Sequence, residues 1–190
     1  QTVSQFKLLN SANVTVTSAA AATLTIAGAA GTDLDIPSGS TLNINGANTI
    51  GIAFGTGSQT ANIAGTLTYS GSGPTITLNL TNCVATVTGT INLSTTTNAV
   101  TLTGVSATSL LMNAGSTMNI TTLQTIIPLA TWAASSNINF SGTGTSFTNN
   151  AQTFGNFTYN SSAISATLNF WGATSTGVIQ GNLNIQQTGT

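Results

Sequence analysis

The chain has 190 residues, enough for one domain with a buried core, and its only charged side chains are Lys7, Asp33 and Asp35. Because neutralising phosphates requires many Lys or Arg side chains, this composition excludes nucleic acid as a partner. There is no His, so the lone Cys83 lacks the base that usually activates a thiol nucleophile, and we predict that it is a small buried hydrophobe.

The first 18 residues, QTVSQFKLLNSANVTVTS, precede the regular repeat described below. Apolar and polar side chains alternate there, which predicts an extended strand. We expect residues 1–18 to form a strand that either caps the domain or pairs with a neighbouring subunit, and residues 19–190 to form a single β-repeat domain. The candidate subunit-contact side chains are Val3, Phe6, Leu8, Val14 and Val16.

From residue 23 onward, one four-residue unit recurs: Thr or Asn, an apolar residue, Thr or Asn, and another apolar residue. A Gly often precedes the unit, as at Gly65, Gly89 and Gly155. Period-two alternation that is rich in β-branched residues predicts strands. The eight copies are at residues 23–26, 41–44, 66–69, 90–93, 117–120, 137–140, 156–159 and 182–185.

This repeat predicts an all-β protein with the fold of a β-solenoid, or β-helix, of about eight irregular coils. One strong strand and one or two weaker strands per period suit one coil, and a coil buries its apolar face only by stacking on its neighbours. The alternative is a β-sandwich or jelly roll, because short strands joined by Gly- and Ser-rich turns also suit that fold.

In a solenoid, the polar positions of the unit would form flat outer columns of Thr and Asn side chains, and the apolar positions would form the core. Several readings of these columns stay open. Identical subunits can pack through them, sugars can bind to them with Trp132, Trp171 or Tyr159 as stacking platforms, and ice can bind to them. Thr and Asn also simply suit exposed positions on strands.

Asp33 and Asp35 are the only carboxylate side chains available for general acid–base catalysis. Two residues apart on one strand, they would point to the same face, about 7 Å from each other. Polysaccharide-cleaving sites on β-helices normally hold more carboxylates or a basic residue, so such an enzyme is a remote alternative. We expect a non-enzymatic protein without a cofactor or a metal site.

The chain contains seven Asn-X-Ser/Thr sequons for N-glycosylation. Their number is close to what the abundance of Asn, Ser and Thr gives by chance, so it is no evidence that sugars are attached. Asn160 follows a repeat unit in a predicted turn, which makes it a better acceptor than Asn156 within the unit. The possible glycosylation sites are Asn13, Asn79, Asn92, Asn119, Asn139, Asn156 and Asn160.

The Gly-preceded form of the unit, as in AGTLTYSG at 64–71 and FGNFTYN at 154–160, resembles the β-solenoid stretches of secreted microbial adhesins and autotransporter-like surface proteins. The similarity extends from about residue 20 to the end of the chain. The low charge, the Ser, Thr and Asn content and residues 1–18 resemble subunits of extracellular β-rich filaments, such as archaeal threads and donor-strand pili. Both resemblances imply an extracellular, non-enzymatic role in structure or adhesion.

With so little charge, the surface lacks the repulsion that keeps most proteins apart, and its strand edges lack protective Lys or Glu side chains. We therefore predict a self-assembling subunit of a surface filament or adhesive appendage, with copies of itself as partners. The alternatives are a carbohydrate- or surface-binding adhesin module, with cell-surface glycans as partners, and an ice-binding protein.

Two further features concern the location of the protein. The longest apolar run, at 126–134, is too short to span a membrane. A chain that begins at Gln1 without Met is typical of a mature protein from which a signal peptide has been cleaved, so we expect secretion to the cell surface or beyond it.

Overall fold

The computed structural model describes residues 1–28, 30–73, 76–95, 100–121, 126–142, 147–161, 170 and 176–187. Within these ranges the chain forms 21 short strands, numbered here in chain order, and no helix. Most of the strands belong to three parallel sheets, which we call sheets A, B and C. The prediction of an all-β protein is confirmed.

Each sheet takes one strand from each of several successive turns. Sheet A consists of β1 (Thr2–Val3), β4 (Ala22–Ile26), β7 (Ile50–Phe54), β10 (Ile76–Asn79) and β13 (Val100–Thr103). Sheet B consists of β2 (Phe6–Lys7), β5 (Leu34–Ile36), β8 (Gln59–Ile63), β11 (Cys83–Val87), β14 (Leu110–Met112) and β16 (Thr131–Trp132). Sheet C consists of β3 (Asn13–Val16), β6 (Thr41–Ile44), β9 (Thr66–Tyr69), β12 (Thr90–Leu93), β15 (Thr117–Ile120), β17 (Asn137–Phe140), β19 (Asn156–Asn160) and β21 (Leu183–Gln187). The short strands β18 (Thr153–Phe154) and β20 (Val178–Ile179) pair with each other.

From β1 to β15 the chain visits sheets A, B and C in that order and then begins the next turn, whereas the later described strands β16 to β21 add only to sheets B and C and to the β18–β20 pair. All the described strand pairs are parallel, so equivalent residues of successive turns lie above one another. This is a β-solenoid, as the sequence predicts, and the sandwich alternative is wrong because that fold is built from antiparallel sheets. The described strands give about six turns, slightly fewer than predicted, and only sheet C reaches eight strands.

The first predicted copy of the repeat unit lies in a different sheet from the other seven. Residues 23–26 belong to sheet A, where Leu24 pairs with Ile52. The first strand of sheet C is β3 instead, and its Val14 pairs with Leu42. The sequence misplaces this copy because the same period-two alternation serves all three sheets and does not distinguish them.

Residues 1–18 form the first turn of the solenoid. Strands β1, β2 and β3 pair with β4, β5 and β6 of the second turn. Among the candidate contact residues, Leu8 is buried, whereas Val3, Phe6, Val14 and Val16 are half-buried. Within the described part of the chain, the other edge of these three strands has no partner. A role in capping or in subunit contact stays a prediction, and it now concerns the whole first turn.

The core is a stack of apolar side chains along the solenoid axis. Sheet C contributes two inner columns, and every member except those of the first and last turns is fully buried. Burial of one such side chain contributes about 1.5–3 kcal/mol to folding. The columns are Val14, Leu42, Leu67, Ile91, Met118, Ile138, Phe157, Leu183 and Val16, Ile44, Tyr69, Leu93, Ile120, Phe140, Tyr159, Ile185.

The Gly that precedes the repeat unit lies at the corner between sheets B and C, where successive turns approach closely. A Cβ atom on Gly89 would lie 2.0 Å from the carbonyl oxygen of Gly65, and one on Gly65 would lie 2.3 Å from that of Ser40. The obstructing atoms belong to the backbone and cannot rotate aside, so any side chain here would push two turns apart. The recurrent Gly is explained by the packing of the turns.

Candidate functional site

The outer face of sheet C carries two columns of polar side chains that follow the solenoid axis. Through the middle of the solenoid these side chains are half-buried, because each is flanked by its equivalents in the turns before and after. From the second strand of sheet C to the seventh, one column is Thr41, Thr66, Thr90, Thr117, Asn137, Asn156 and the other is Asn43, Thr68, Asn92, Asn119, Asn139, Thr158.

Asparagine amides in these columns are hydrogen-bonded from turn to turn. Asn139 Nδ2 donates to Asn119 Oδ1 at 2.9 Å, and Asn119 Nδ2 donates to Asn92 Oδ1 at 2.7 Å. Asn92 Nδ2 completes the series by donating to Thr68 Oγ1 at 3.0 Å. We call Asn92, Asn119 and Asn139 the asparagine ladder. Because Asn119 and Asn92 each donate to the preceding turn and accept from the following one, the ladder holds successive turns in register.

The sequons fall into two groups on this surface. In the ladder residues, and in Asn156, which donates to Asn137 Oδ1 at 3.1 Å, the Nδ2 atom that would carry a glycan is already a hydrogen-bond donor to the preceding turn. Asn13 and Asn160 are exposed, and Asn79 is half-buried. Attachment of a sugar in the first group would place a bulky substituent on a nitrogen that contacts the preceding turn, so Asn13, Asn79 and Asn160 are the better acceptors; glycosylation itself stays a prediction.

Two of the three aromatic side chains proposed as sugar-stacking platforms, Trp132 and Tyr159, are not available for stacking. Trp132 is 5% exposed, and its indole Nε1 donates to Gln152 Oε1 at 3.1 Å. Tyr159 is fully buried in an inner column. The prediction is wrong for both because each occupies an inward position of its strand. Trp171 lies outside the described residues.

The two carboxylates do not form an open acidic pair. Asp33 lies at the corner before β5 and is 2% exposed, and its Oδ2 accepts a hydrogen bond from the backbone N–H of Thr60 at 2.8 Å. Asp35 Oδ1 accepts a bond from Asn62 Nδ2 at 2.7 Å. The predicted shared face is wrong, because the corner turns the Asp33 side chain inward.

The remaining candidate reactive groups are the thiol of Cys83 and the side chains that could bind a metal ion. Cys83 is 4% exposed, as predicted; burial, aided by the negative charge of Asp33, raises the pKa of its thiol to about 12. The thiol is therefore protonated at neutral pH and is a poor nucleophile. In the part of the chain that the structure describes, no three His, Cys, Asp or Glu side chains are grouped so that they could hold a metal ion.

The two ends of sheet C are the places where the regular pairing stops. At one end, β21 pairs with no described strand other than β19, and its inner-column residues Leu183 and Ile185 are 52% and 48% exposed. We call its free side the C-terminal edge. At the other end, β6 is the one partner of β3 among the strands that the structure describes, and Val14 and Val16 are half-buried. We call its free side the N-terminal edge. Both edges present unpaired backbone groups beside apolar side chains, which is the usual template for adding another strand.

Among the described residues, none belongs to a helix that is long and apolar enough to cross a membrane. Comparisons of the chain with protein-family models, with curated proteins and with solved structures gave no match. The structural features that can support a function are the asparagine ladder and the two edges of sheet C.

Removing the middle rung of the asparagine ladder is expected to destabilise the fold. Asn119→Ala deletes two side-chain hydrogen bonds and leaves Asn92 Oδ1 and Asn139 Nδ2 without their partners, so we expect a loss of about 1–2 kcal/mol in the free energy of unfolding. The measurement is urea denaturation at a fixed low protein concentration. The matched control, Asn13→Ala, changes an exposed Asn of the same sheet and should cost less than about 0.5 kcal/mol. Equal losses in the two variants would contradict a stabilising ladder.

Proposed function

We propose that this protein is a non-enzymatic, extracellular structural subunit that assembles with copies of itself, end to end, into a filament or adhesive appendage. The observation that carries the proposal is the pair of free edges of sheet C. Each edge offers an unpaired parallel strand, and at the C-terminal edge Leu183 and Ile185 remain about half exposed. A second copy would cover these groups in the same way that successive turns cover one another within the chain.

The geometry of the two edges favours an open assembly over a closed one. The edges differ from each other and lie at opposite ends of a stack of parallel strands. A contact between two different surfaces of identical molecules is head-to-tail, and it produces a filament unless rotation closes it into a ring. Because the two edges lie at opposite ends of the stack, we infer a linear polymer.

The distribution of charge also supports assembly through these edges. Natural proteins commonly protect a free strand edge with a charged residue, especially Lys, or with Pro. Strands β3 and β21 have the sequences NVTV and LNIQQ, which contain neither. All three charged side chains of the chain lie in its first two turns, in or beside β2 and β5. Lys7 lies in β2, the edge strand of sheet B at the N-terminal end, so the predicted lack of protective Lys holds for sheet C and is wrong for sheet B. Neither edge of sheet C opposes contact by like-charge repulsion.

The extracellular setting is supported by the resemblance to surface-protein solenoids, and the alternative functions are less well supported. A carbohydrate-binding module would gain hydrogen-bonding groups from the outer columns of sheet C. It would have no stacking platform at Trp132 or Tyr159, because both are buried. The ladder amides are bonded to one another, which reduces their capacity to bind sugars or ice.

The proposal is tested by following assembly of the purified chain over a range of concentrations. We expect linear particles in negative-stain electron micrographs and a weight-average mass in sedimentation that rises with concentration. Because the edges carry no charge, assembly should change little as added salt reduces the screening length from about 30 Å at 0.01 M to about 3 Å at 1 M. Monomers at every concentration would overturn the proposal, and so would assembly that salt abolishes.

A further inference from the structure

The C-terminal edge has almost the same sequence as the strand that already covers β3 inside the chain. In β6, Leu42, Asn43 and Ile44 pair with Val14, Thr15 and Val16 of β3. In β21, the sequence Leu-Asn-Ile recurs at 183–185. One side of β3 is therefore bound by a Leu-Asn-Ile strand, and its other side is the free N-terminal edge.

The position of the second Leu-Asn-Ile strand within the columns matches that of the first. Leu183 pairs with Phe157 in the column that begins at Val14, and Ile185 pairs with Tyr159 in the column that begins at Val16. Asn184 pairs with Thr158 on the outer face. All three residues thus end the same columns that β3 begins.

Both ends of sheet C leave apolar side chains of the inner columns partly exposed. Leu183 and Ile185 are about half exposed at the last turn, and Val14 and Val16 are half-buried at the first. Beside the first turn lies a cavity of about 280 Å³, whose walls include Phe6, Val16, Leu24 and Ile50. If the ends met, the small Val side chains of one copy would pack against the larger Leu and Ile side chains of the other and continue the two inner columns.

We propose that a second copy of the chain binds at the C-terminal edge so that its β3 pairs in parallel with β21. In this register Val14, Thr15 and Val16 of the second copy lie on Leu183, Asn184 and Ile185. The inference rests on the proposed function, and it adds which strands meet and in which register. This contact between copies continues the parallel pairing that sheet C makes from turn to turn within each copy.

Other registers are disfavoured by the side chains themselves. A shift by one residue would turn Asn184 toward the apolar columns of the next copy, because the side chains of a strand alternate between its faces. A shift by two residues keeps the faces but leaves one apolar residue of each strand without a partner. The only irregularity of β21, a bulge opposite the Tyr159–Asn160 bond, follows Ile185 and leaves 183–185 flat.

The register is tested by disulfide cross-linking between copies in the Cys83→Ala background, since that substitution removes the native thiol. Thr15→Cys combined with Asn184→Cys should join copies into a series of disulfide-linked oligomers after mild oxidation with diamide. The paired Cα atoms would be about 4.8 Å apart, within the range that a disulfide spans. The control, Asn13→Cys with Asn184→Cys, is offset by two residues, which separates the Cα atoms by about 8 Å and should prevent the bond.

The outcomes distinguish the register from the function on which it rests. Disulfide-linked oligomers that form only in the variant with Thr15→Cys and Asn184→Cys would support the register. Disulfide-linked oligomers that form only with the offset pair, or filaments that neither pair cross-links, would overturn the proposed register while leaving self-assembly intact. Absence of filaments from the unmodified chain would overturn the proposed function itself. If Cys83→Ala does not fold, the same pairs are compared with Cys83 retained, because that buried thiol reacts slowly.

Discussion

Ile185→Lys is expected to abolish end-to-end assembly without unfolding the individual chain. In the isolated chain Ile185 is 48% exposed, so a Lys side chain can extend into water at little cost to stability. In the proposed contact, position 185 is covered by Val16 of the next copy. Burying an unpaired ammonium group there would cost several kcal/mol, and each 1.4 kcal/mol weakens association about tenfold. Sedimentation should therefore show monomers at concentrations where the unmodified chain is polymeric.

Asn184→Lys provides the matched control for this experiment. It adds the same charge to the same strand, at the neighbouring position on the outer face, where the side chain stays in water in both states. Assembly should persist in Asn184→Lys, and thermal unfolding of both variants at low concentration should be close to that of the unmodified chain. If both variants lose assembly equally, charge at the edge is responsible and the inner columns do not form the contact.

The sequence predicts the solenoid and the faces of its strands well, because these depend on local alternation. In the unit at 117–120, Met118 and Ile120 must face one way and Thr117 and Asn119 the other, whatever the neighbouring turns contain. The Gly before the unit could likewise be recognised as a recurrent feature, although only the close approach of Gly89 to Gly65 reveals its cause.

The sequence predicts the corners and the inter-turn contacts poorly, because these depend on how turns of unequal length are superimposed. The unit at 23–26 has the required alternation, yet it lies in sheet A. Asp33 is two residues from Asp35, and the strand period places both on one face, but Asp33 precedes β5 and its side chain turns inward at the corner. The bond from Asn119 to Asn92 joins residues 27 apart, and a spacing that varies along the chain does not identify such partners.

The structure changes the reason for which residues 1–18 are a candidate contact segment, and the contact itself stays a prediction. Residues 1–18 stand out in the sequence only because they precede the repeat. In the structure their strand β3 is a full member of sheet C, with Val14 and Val16 at the start of both inner columns. Strand β3 is a candidate contact strand because it lies at the free edge of sheet C. The sequence does not show this position, because it depends on how the later turns pair.

Phe157→Ala is expected to cause the largest loss of stability among single substitutions in the last turns. Phe157 is fully buried, and its ring centroid lies 4.5 Å from that of Phe170 and 5.8 Å from that of Phe154, both in edge-to-face geometry. Removing the ring leaves a cavity that the stacked backbone cannot close, so we expect the free energy of unfolding to fall by about 3–5 kcal/mol. Urea denaturation at low concentration measures this loss.

Leu183→Ala is the matched control, because Leu183 follows Phe157 in the same inner column but is 52% exposed. In dilute, monomeric protein its truncation should cost about 1 kcal/mol, since only part of the side chain is removed from water on folding. In assembled protein the same truncation should cost more, because the next copy would bury the remaining surface. A loss in Leu183→Ala that equals the loss in Phe157→Ala at low concentration would mean that the last turn is already covered within the chain, and the C-terminal edge would then not be free to bind a second copy.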